Sequence, residues 1–321
     1  MKSRIIALLT LLTIASSSFG QGPYQLPNAT LAEELVYSMS RDTVFNAGLL
    51  FHAKKELVRP VAFIWVHGWG INFYSPSYIA IGRAFAERGY TFISVNTRMH
   101  DLANVEGYKG GKRVRGGGYW GIASDQTKDI AGWLDFTESK GFKKIILIGH
   151  SAGAAAVREY QSAIQDNRVS GLVLASGSVD PSPPIDSSQY VLALPLMSEN
   201  KGDELIRDPQ RSFPSYISAA TFMDIANSPP EYKDFFGVST PNAGITKIQC
   251  PILAFYGTND DIGNERTLEL LKSSIQKQPK GPVSVTTSII KGADHMYMGQ
   301  EVQLTEAIIK WVENILVETK K

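Results

Sequence analysis

The stretch IILIGHSAG at residues 145–153 decides the fold of this chain. A run of four apolar residues ends in a Gly-x-Ser-x-Gly pattern, and an alanine-rich stretch follows. Apolar runs of this kind are typical of strands buried in a parallel sheet. The pattern predicts a sharp strand-to-helix turn, a nucleophile elbow, with the hydroxyl of Ser151 exposed at its tip. Gly149 and Gly153 meet a steric demand, because side chains there would collide with the neighbouring strand and helix.

Strand and helix patterns alternate on both sides of this turn. Two short strands at 35–40 and 45–52 predict a hairpin at the sheet edge, and VAFIWV at 61–66 is apolar throughout. The other expected segments are strands at 90–95, 143–149, 169–176, 252–256 and 283–290, and helices at 78–88, 124–140, 152–165, 264–276 and 302–317. This order predicts an α/β fold with a doubly wound, mostly parallel sheet.

The alternation breaks between residues 180 and 249. Regular α/β connections are only a few residues long, so a segment of this length predicts a separate element inserted into the fold. It is rich in proline and polar residues, and helices are expected near Glu204 and at 216–226.

The N-terminus has the pattern of a secretory signal peptide. Lys2 and Arg4 precede an apolar core at 5–14, and small residues at 16–20 predict cleavage near Gly20. The apolar core is too short to span a bilayer comfortably, which disfavours an uncleaved anchor. We therefore expect residues 1–20 to be a signal peptide, with a secreted or periplasmic product and no membrane span in the mature chain.

The charge balance is close to neutral. The chain has 32 basic and 31 acidic residues, a formal net charge of +1, and loss of the first twenty residues would change it to −1 because they hold two bases and no acid. This composition gives no electrostatic basis for binding nucleic acid or an anionic membrane. Cys250 is the single cysteine, which excludes an internal disulfide. The oligomeric state is left open.

A serine hydroxyl is a weak nucleophile unless a base takes its proton, and a carboxylate usually orients that base. Among five histidines, His295 follows the last predicted strand, where loops of open α/β sheets form sites. It is the expected base. Asp260 is the expected acid, since it follows a buried strand three residues after a glycine. Asp261 and Asp180 are alternatives, and Asp261 could also be a solvated neighbour or a helix N-terminal charge.

The oxyanion of a tetrahedral intermediate requires two donors. The backbone N–H of Ala152, directly after the serine, is one. The loop HGWG at 67–70 follows the third strand, and its glycines let the backbone approach a substrate, so the Trp69 N–H is the expected second donor. The Trp69 ring is expected to line the acyl pocket. An ordinary glycine-rich turn is the alternative. His150, inside the elbow, should point away from the serine hydroxyl.

These segments together resemble the α/β-hydrolase superfamily over residues 31–321. HGWG at 67–70, GHSAG at 149–153, GTND at 257–260 and GADH at 292–295 occur in the order of that superfamily, each after a predicted strand. The resemblance implies an eight-stranded sheet with helices on both faces and a cap at 180–249 over the pocket. It also implies a serine hydrolase with Ser151, His295 and Asp260 as its triad. A local similarity to siderophore-esterase-like members, at NTRMHD 96–101 and the helix before the elbow, carries no substrate with it.

One loop departs from the usual pattern. The stretch GYKGGKRVRGGGYWG at 107–121 is long and basic, and Arg113 and Arg115 precede Tyr119 and Trp120. These four residues are candidates for a flap that contacts an acidic or sugar-bearing substrate, with the aromatic rings as a stacking platform. A flexible surface loop with solvated charges is the alternative.

The expected function is that of a secreted serine hydrolase cleaving small-molecule or oligomeric carboxylic esters through an acyl-enzyme, with no metal or organic cofactor. Acid and histidine pairs at 260–261 and 294–295 could suggest a metal, but a triad explains them more economically. Amide, peptide or carbon–carbon bond hydrolysis, or acyl transfer, is the alternative on the same fold. A non-catalytic binding protein is the remote alternative.

Overall fold

The computed structural model describes residues 26, 28–107, 111–177, 187–207, 216–240, 242–277 and 284–318. The predicted signal peptide at 1–20 and the alternative acid Asp180 lie outside the described residues.

Twelve strands and nine α-helices lie in this part of the chain. The strands are β1 Glu33–Met39, β2 Phe45–Phe51, β3 Val61–Val66, β4 Thr91–Val95, β5 Asn104–Gly107, β6 Arg113–Gly116, β7 Lys144–His150, β8 Val169–Ala175, β9 Leu205–Arg207, β10 Tyr216–Ser218, β11 Ile252–Gly257 and β12 Val285–Ile290. The helices are α1 Pro76–Glu87, α2 Gly117–Trp120, α3 Gln126–Ser139, α4 Ala152–Ile164, α5 Ser187–Ser198, α6 Ala219–Ala226, α7 Pro230–Lys233, α8 Glu265–Gln276 and α9 Glu301–Glu318. Two short 3₁₀ turns, Lys55–Leu57 and Gly244–Lys247, complete the elements.

Eight strands form one sheet in the order β1-β2-β4-β3-β7-β8-β11-β12. Strands β4, β3, β7, β8, β11 and β12 pair in parallel, while β2 pairs antiparallel with both β1 and β4. The sequence prediction of a mostly parallel eight-stranded sheet with an edge hairpin is confirmed. Because parallel strands end on the same side, the loops after β3, β7, β8, β11 and β12 meet along one edge.

Helices cover both faces of the sheet, as predicted. All six residues of β3 are buried, which explains why its sequence is apolar without alternation. On one face α1 and α9 pack through residues such as Phe85 and Trp311. On the other face α3, α4 and α8 pack through residues such as Trp133, Tyr160 and Leu271. The sheet is therefore enclosed, and access to its edge is left to the loops.

Helix and strand limits in the α/β layers fall within two residues of the predicted ones. Local signals account for this agreement. Pro76 opens α1, where its missing N–H costs no hydrogen bond. Asn264 precedes α8 and accepts from the backbone N–H of Thr267, whose hydroxyl accepts in return from the Asn264 N–H.

The longest helix in the described ranges is α9, with 18 residues. Glu306, Lys310 and Glu313 lie exposed on the side of α9 away from the sheet. Within the same ranges, the helices all lack the combined length and apolar character that crossing a membrane requires.

The predicted insertion at 180–249 differs from expectation in its secondary structure. The helix expected near Glu204 is wrong, because strand β9 follows that residue and pairs antiparallel with β10. The helix expected from 216 begins only at Ala219, where the Ser218 side chain accepts from the Thr221 N–H and caps it. Helix α5 was not expected at all. Strand pairing across the insertion, which no local pattern reveals, overrides the helical propensity around Glu204.

The insertion divides into two parts by packing. From α5 to α6 it has its own apolar cluster, which includes Ala193, Ile206, Ile217 and Phe222. We call this part the cap. The later segment returns to the main core, where five apolar residues join the cluster under α4: Phe235, Phe236, Ala243, Ile245 and Ile248. The ring of Trp69 packs against the cap cluster, so the cap lies over the loop that follows β3.

Candidate active site

Ser151 occupies the sharp turn that the sequence predicted between β7 and α4. Its backbone has φ +55° and ψ −122°, a strained conformation for a residue with a side chain. The turn is held to the next strand because the Ser151 N–H donates to the Ala175 carbonyl at 2.8 Å. A Cβ at Gly149 would collide with the Gly153 carbonyl, and one at Gly153 with the carbonyls of residues 66 and 67. Both glycines are therefore required by close backbone approach.

The loop after β3 passes directly over the serine. A Cβ built on Gly68 would lie 3.0 Å from Ser151 Cβ and 3.5 Å from its Oγ. The buried ring of His67 fixes this loop, because its Nδ1 donates to the Gly68 carbonyl at 2.6 Å and its Nε2 accepts from the Thr97 N–H at 3.1 Å. Burial lowers the pKa of His67 to about 4, so the ring is neutral and suited to these two roles. His67 thus positions the loop that carries Trp69.

His295 and Asp260 are brought together by the neighbouring strands β12 and β11. His295 Nδ1 lies 3.1 Å from Asp260 Oδ1, and the Asp260 side chain is fully buried. The same carboxylate accepts from the Ile262 N–H at 3.0 Å and from the Ser176 hydroxyl. Burial alone would raise the pKa of Asp260, but the hydrogen bonds from His295, Ser176 and Ile262 outweigh it and hold the pKa below its usual value. The alternative acid Asp261 is exposed.

Residues that the sequence did not single out complete this arrangement. Tyr78 Oη lies 2.6 Å from His150 Nδ1 and accepts from the Gly68 N–H at 3.4 Å. His150 Nε2 lies 2.8 Å from the carbonyl oxygen of His295, which must accept. Burial lowers the pKa of His150 to about 3, so the ring carries one proton, on Nε2, and Nδ1 accepts from the tyrosine hydroxyl. The expectation that His150 points away from the serine hydroxyl agrees with these contacts.

Two further hydroxyl groups form a hydrogen-bonded series that ends at Asp260. Tyr297 Oη and Ser176 Oγ are hydrogen-bonded to each other, and Ser176 in turn donates to Asp260. Both residues are fully buried. The only sequence signals were positional, since Ser176 ends the predicted strand 169–176 and Tyr297 comes two residues after His295. Tyr78 had none, because it lies on a helix face that reads as ordinary core.

A cavity of about 980 Å³ extends from the elbow along α4 and under the cap. Trp69 and Ala152, the expected oxyanion donors, both line it. Trp69 thus lines a cavity next to the elbow, and a role for its ring in an acyl pocket stays a prediction. Further along, the walls are mostly small or apolar side chains, among them Ala155, Ala156, Met197, Met223 and Phe235. Such a cavity can accept an extended apolar group beside the serine.

The glycine-rich loop at 107–121 is more regular than either sequence hypothesis assumed. Strand β6, within the loop, pairs antiparallel with β5, which ends where the loop begins, and α2 follows. The Arg115 guanidinium lies over the Trp120 ring at 5.1 Å, and Trp120 Nε1 donates to the Asp203 carbonyl of the cap at 2.8 Å. The four candidate substrate-binding residues are not among the described residues that line the cavity: Arg113, Arg115, Tyr119 and Trp120. The structure thus brings Trp120 to the cap rather than to the cavity.

One group of potential metal ligands occurs among the described residues. Ligand atoms of Asp260, Asp261 and His295 lie within 4.8 Å of one another. Asp260 and His295 are close because they are hydrogen-bonded to each other, and Asp261 is the exposed residue next to Asp260 in the sequence.

Residues 63–307, more than half of the chain, match the model of the alpha/beta hydrolase family. The chain belongs to this family and is an enzyme of the hydrolase class, as the sequence motifs predicted.

Solved structures share the fold at low sequence identity. Est1E from Butyrivibrio proteoclasticus, solved with ferulic acid bound, is 14% identical over 88% of this chain and 100% of its own, with a TM-score of 0.59. The alpha/beta hydrolase GrgF from Penicillium sp. sh18 is 17% identical over 89% and 98%, with a TM-score of 0.62. An esterase domain from Rhodothermus marinus is 14% identical over 88% and 99%, with a TM-score of 0.55. No curated protein sequence matches the chain significantly.

Proposed function

We propose that this chain is a serine hydrolase that cleaves carboxylic esters through a covalent acyl-enzyme. The observation that carries the proposal is the hydrogen bond between His295 and the buried carboxylate of Asp260, formed beside the elbow that bears Ser151. A histidine oriented by a buried carboxylate is the base that a serine nucleophile needs. The cavity that opens beside Ala152 supplies room for the substrate.

The reaction proceeds in four steps. Ser151 Oγ attacks the ester carbonyl carbon while His295 Nε2 accepts the hydroxyl proton, and Asp260 stabilises the resulting imidazolium through Nδ1–H. The N–H groups of Trp69 and Ala152 donate to the oxyanion. The carbon–oxygen bond to the alcohol then breaks as His295 returns the proton to the leaving oxygen. Water then attacks the acyl-enzyme while His295 accepts one of its protons, and His295 returns that proton to Ser151 Oγ as the acid leaves.

Two of the structurally similar proteins support the choice of esters over other acyl bonds. One is an esterase domain, and another was solved with ferulic acid, a carboxylic acid, bound. Amide, peptide or carbon–carbon bond cleavage and acyl transfer use the same nucleophile and are the second possibility. We also propose that the protein is exported after cleavage near Gly20, which N-terminal sequencing of the exported protein would test.

Hydrolysis of p-nitrophenyl esters of graded acyl length by residues 21–321 tests the proposal. We expect Ser151→Ala to reduce kcat about 10⁶-fold and Asp260→Asn to reduce it about 10³-fold or more. Ser139→Ala, an exposed serine on α3, is the matched control and should behave as wild type. A fluorophosphonate should label wild type and not Ser151→Ala. Labelling without turnover of any ester would reject the ester class, and failure to label would reject the serine mechanism.

A further inference from the structure

Helix α4 runs from the elbow along the floor of the cavity. The residues of α4 that line the cavity are four alanines, at positions 152, 155, 156 and 163, and two charged neighbours, Arg158 and Glu159. Residues spaced by three, four and seven share a helix face. The alanine methyl groups leave space and offer no polar contact. Glu159 therefore places a carboxylate in the floor beside the nearly fully buried Arg158, and the rest of the α4 lining is methyl groups.

The carboxylate of Glu159 is weakly compensated by the protein. Its side chain is 22% exposed, and its one ion-pair partner in the described residues is Arg158 Nη2 at 3.4 Å. That guanidinium is used elsewhere, since it also donates to the main-chain carbonyls of Tyr232, Asp234 and Phe235. Burial raises the pKa of Glu159 more than Arg158 lowers it. A carboxylate in such surroundings gains from any additional donor or positive charge.

The other charged groups that line the cavity are engaged by their neighbours. Asp224 on α6 accepts from the Ser124 N–H at 3.0 Å and the Ser124 hydroxyl at 2.6 Å. Lys233 donates to the Ala226 carbonyl at 2.9 Å. Of the two acidic side chains that line the cavity, Glu159 thus accepts fewer hydrogen bonds within the described residues, one from Arg158 against two for Asp224. It lies eight residues after Ser151 in the sequence, which along a helix is about 12 Å.

We propose that Glu159 is a specificity-determining residue that binds a protonated amine at the far end of the substrate, about 12 Å from the ester carbon. The inference rests on the proposed function, because the distance is counted from Ser151. A protonated amine brings both N–H donors and charge, and a charge-assisted hydrogen bond in a partly dry cavity is stronger than a neutral one. The walls at Met223 and Phe235 contact the apolar chain between the two ends.

Two p-nitrophenyl esters of equal chain length test this, one ending in an ammonium group and one in a methyl group. We expect wild type to have the higher kcat/KM for the ammonium ester. Glu159→Gln should lower the ratio of the two kcat/KM values about tenfold, mainly through KM. Glu199→Gln, an exposed acid after α5, is the control and should keep the wild-type ratio. An unchanged ratio in Glu159→Gln, or a wild-type preference for the methyl ester, would overturn the inference.

A second measurement needs no variant. Octylammonium chloride and octanol are compared as inhibitors of p-nitrophenyl acetate hydrolysis by wild type. We expect octylammonium to have the lower inhibition constant, and equal or stronger inhibition by octanol would overturn the inference. Failure of the proposed function is a separate result, since p-nitrophenyl acetate would then not be hydrolysed, or Ser151→Ala would hydrolyse it equally well.

Discussion

The ring of His150 donates from Nε2 to the main-chain carbonyl of His295 across 2.8 Å. His150 precedes the nucleophile, and His295 is the proposed base, so this contact ties the elbow to the loop after β12. Through Nδ1 and Tyr78 the same ring is linked to the Gly68 N–H. Three loops that come from distant parts of the sequence are therefore held by one continuous series of hydrogen bonds.

Removal of the Tyr78 hydroxyl tests whether these hydrogen bonds contribute to catalysis. In Tyr78→Phe, the Gly68 N–H loses its acceptor and His150 Nδ1 its donor, and a buried unsatisfied group costs about 1–3 kcal/mol. Because these groups position the serine and its base without contacting substrate, we expect kcat to fall about tenfold with KM within about twofold of wild type. Tyr90→Phe removes a hydroxyl that contacts Glu313, away from the site, and is the control. Equal kcat values for the two variants would show that the hydrogen bonds through Tyr78 and His150 have no part in catalysis.

The hydroxyl of Ser176 should matter for both activity and stability. Ser176→Ala removes one donor from Asp260 and leaves the buried Tyr297 hydroxyl without this partner. Fewer donors raise the pKa of the carboxylate, so the acid limb of the pH–activity profile should move upward, with kcat reduced several-fold. Ser274→Ala removes a buried hydroxyl that donates to the Gly237 carbonyl instead. It should lower stability only, and an unchanged acid limb in Ser176→Ala would contradict the assigned role.

The space above the serine is tight for a methyl group on Gly68. In Gly68→Ala the new Cβ would lie 3.0 Å from Ser151 Cβ, so the loop carrying the proposed oxyanion donor Trp69 must move. Since loss of one such donor typically costs 10²–10³ in kcat, we expect a decrease of about 10²-fold. Gly107→Ala is the control, because nothing lies within 4 Å of its Cβ position. The prediction fails if both variants retain wild-type kcat.

Two buried histidines should make the fold sensitive to mild acid. His67 and His150 have pKa values lowered to about 4 and about 3 by burial, whereas both titrate near 6.5 in an unfolded chain. Between pH 6.5 and 4 the unfolded state therefore binds more protons, so the free energy of unfolding falls as the pH falls. Each histidine can contribute up to about 1.4 kcal/mol per pH unit.

Urea unfolding at pH 7, 6 and 5 measures this dependence. The stabilising effect of the neutral rings should be complete above pH 6.5 and decrease steadily below it. His52→Gln, at an exposed histidine next to Glu34, is the matched control. A free energy of unfolding that is equal at pH 7 and pH 5 would exclude the predicted proton linkage.

The parts of the molecule that the sequence predicted are those with local signals. Periodicity and capping residues gave the layers of the α/β fold, because each such signal lies within one element. Spacing after buried strands was enough to pair His295 with Asp260, since neighbouring parallel strands deliver their loops to one edge of the sheet. The cap was mispredicted around Glu204 because the pairing of β9 with β10 depends on a partner some ten residues away.

The residues that position the site, Tyr78 and Ser176, could not be predicted from the sequence for a related reason. Tyr78 lies 72 residues from His150 in sequence, and Ser176 lies 84 residues from Asp260. No spacing rule connects such positions, and a tyrosine on a helix or a serine after a strand is compatible with many surroundings. Only the folded chain shows that their hydroxyls meet the site.

Arg158 holds the segment after α7 by donating to main-chain carbonyls, and Trp120 holds the cap in the same manner at Asp203. Carbonyl oxygens are present whatever side chains the held segment carries, so these anchors tolerate substitution there. The lining of the cavity can thus diversify during evolution, natural or directed, while the elbow beneath it keeps its geometry. Libraries that randomise cap positions such as Met223 should therefore yield many folded enzymes with altered selectivity.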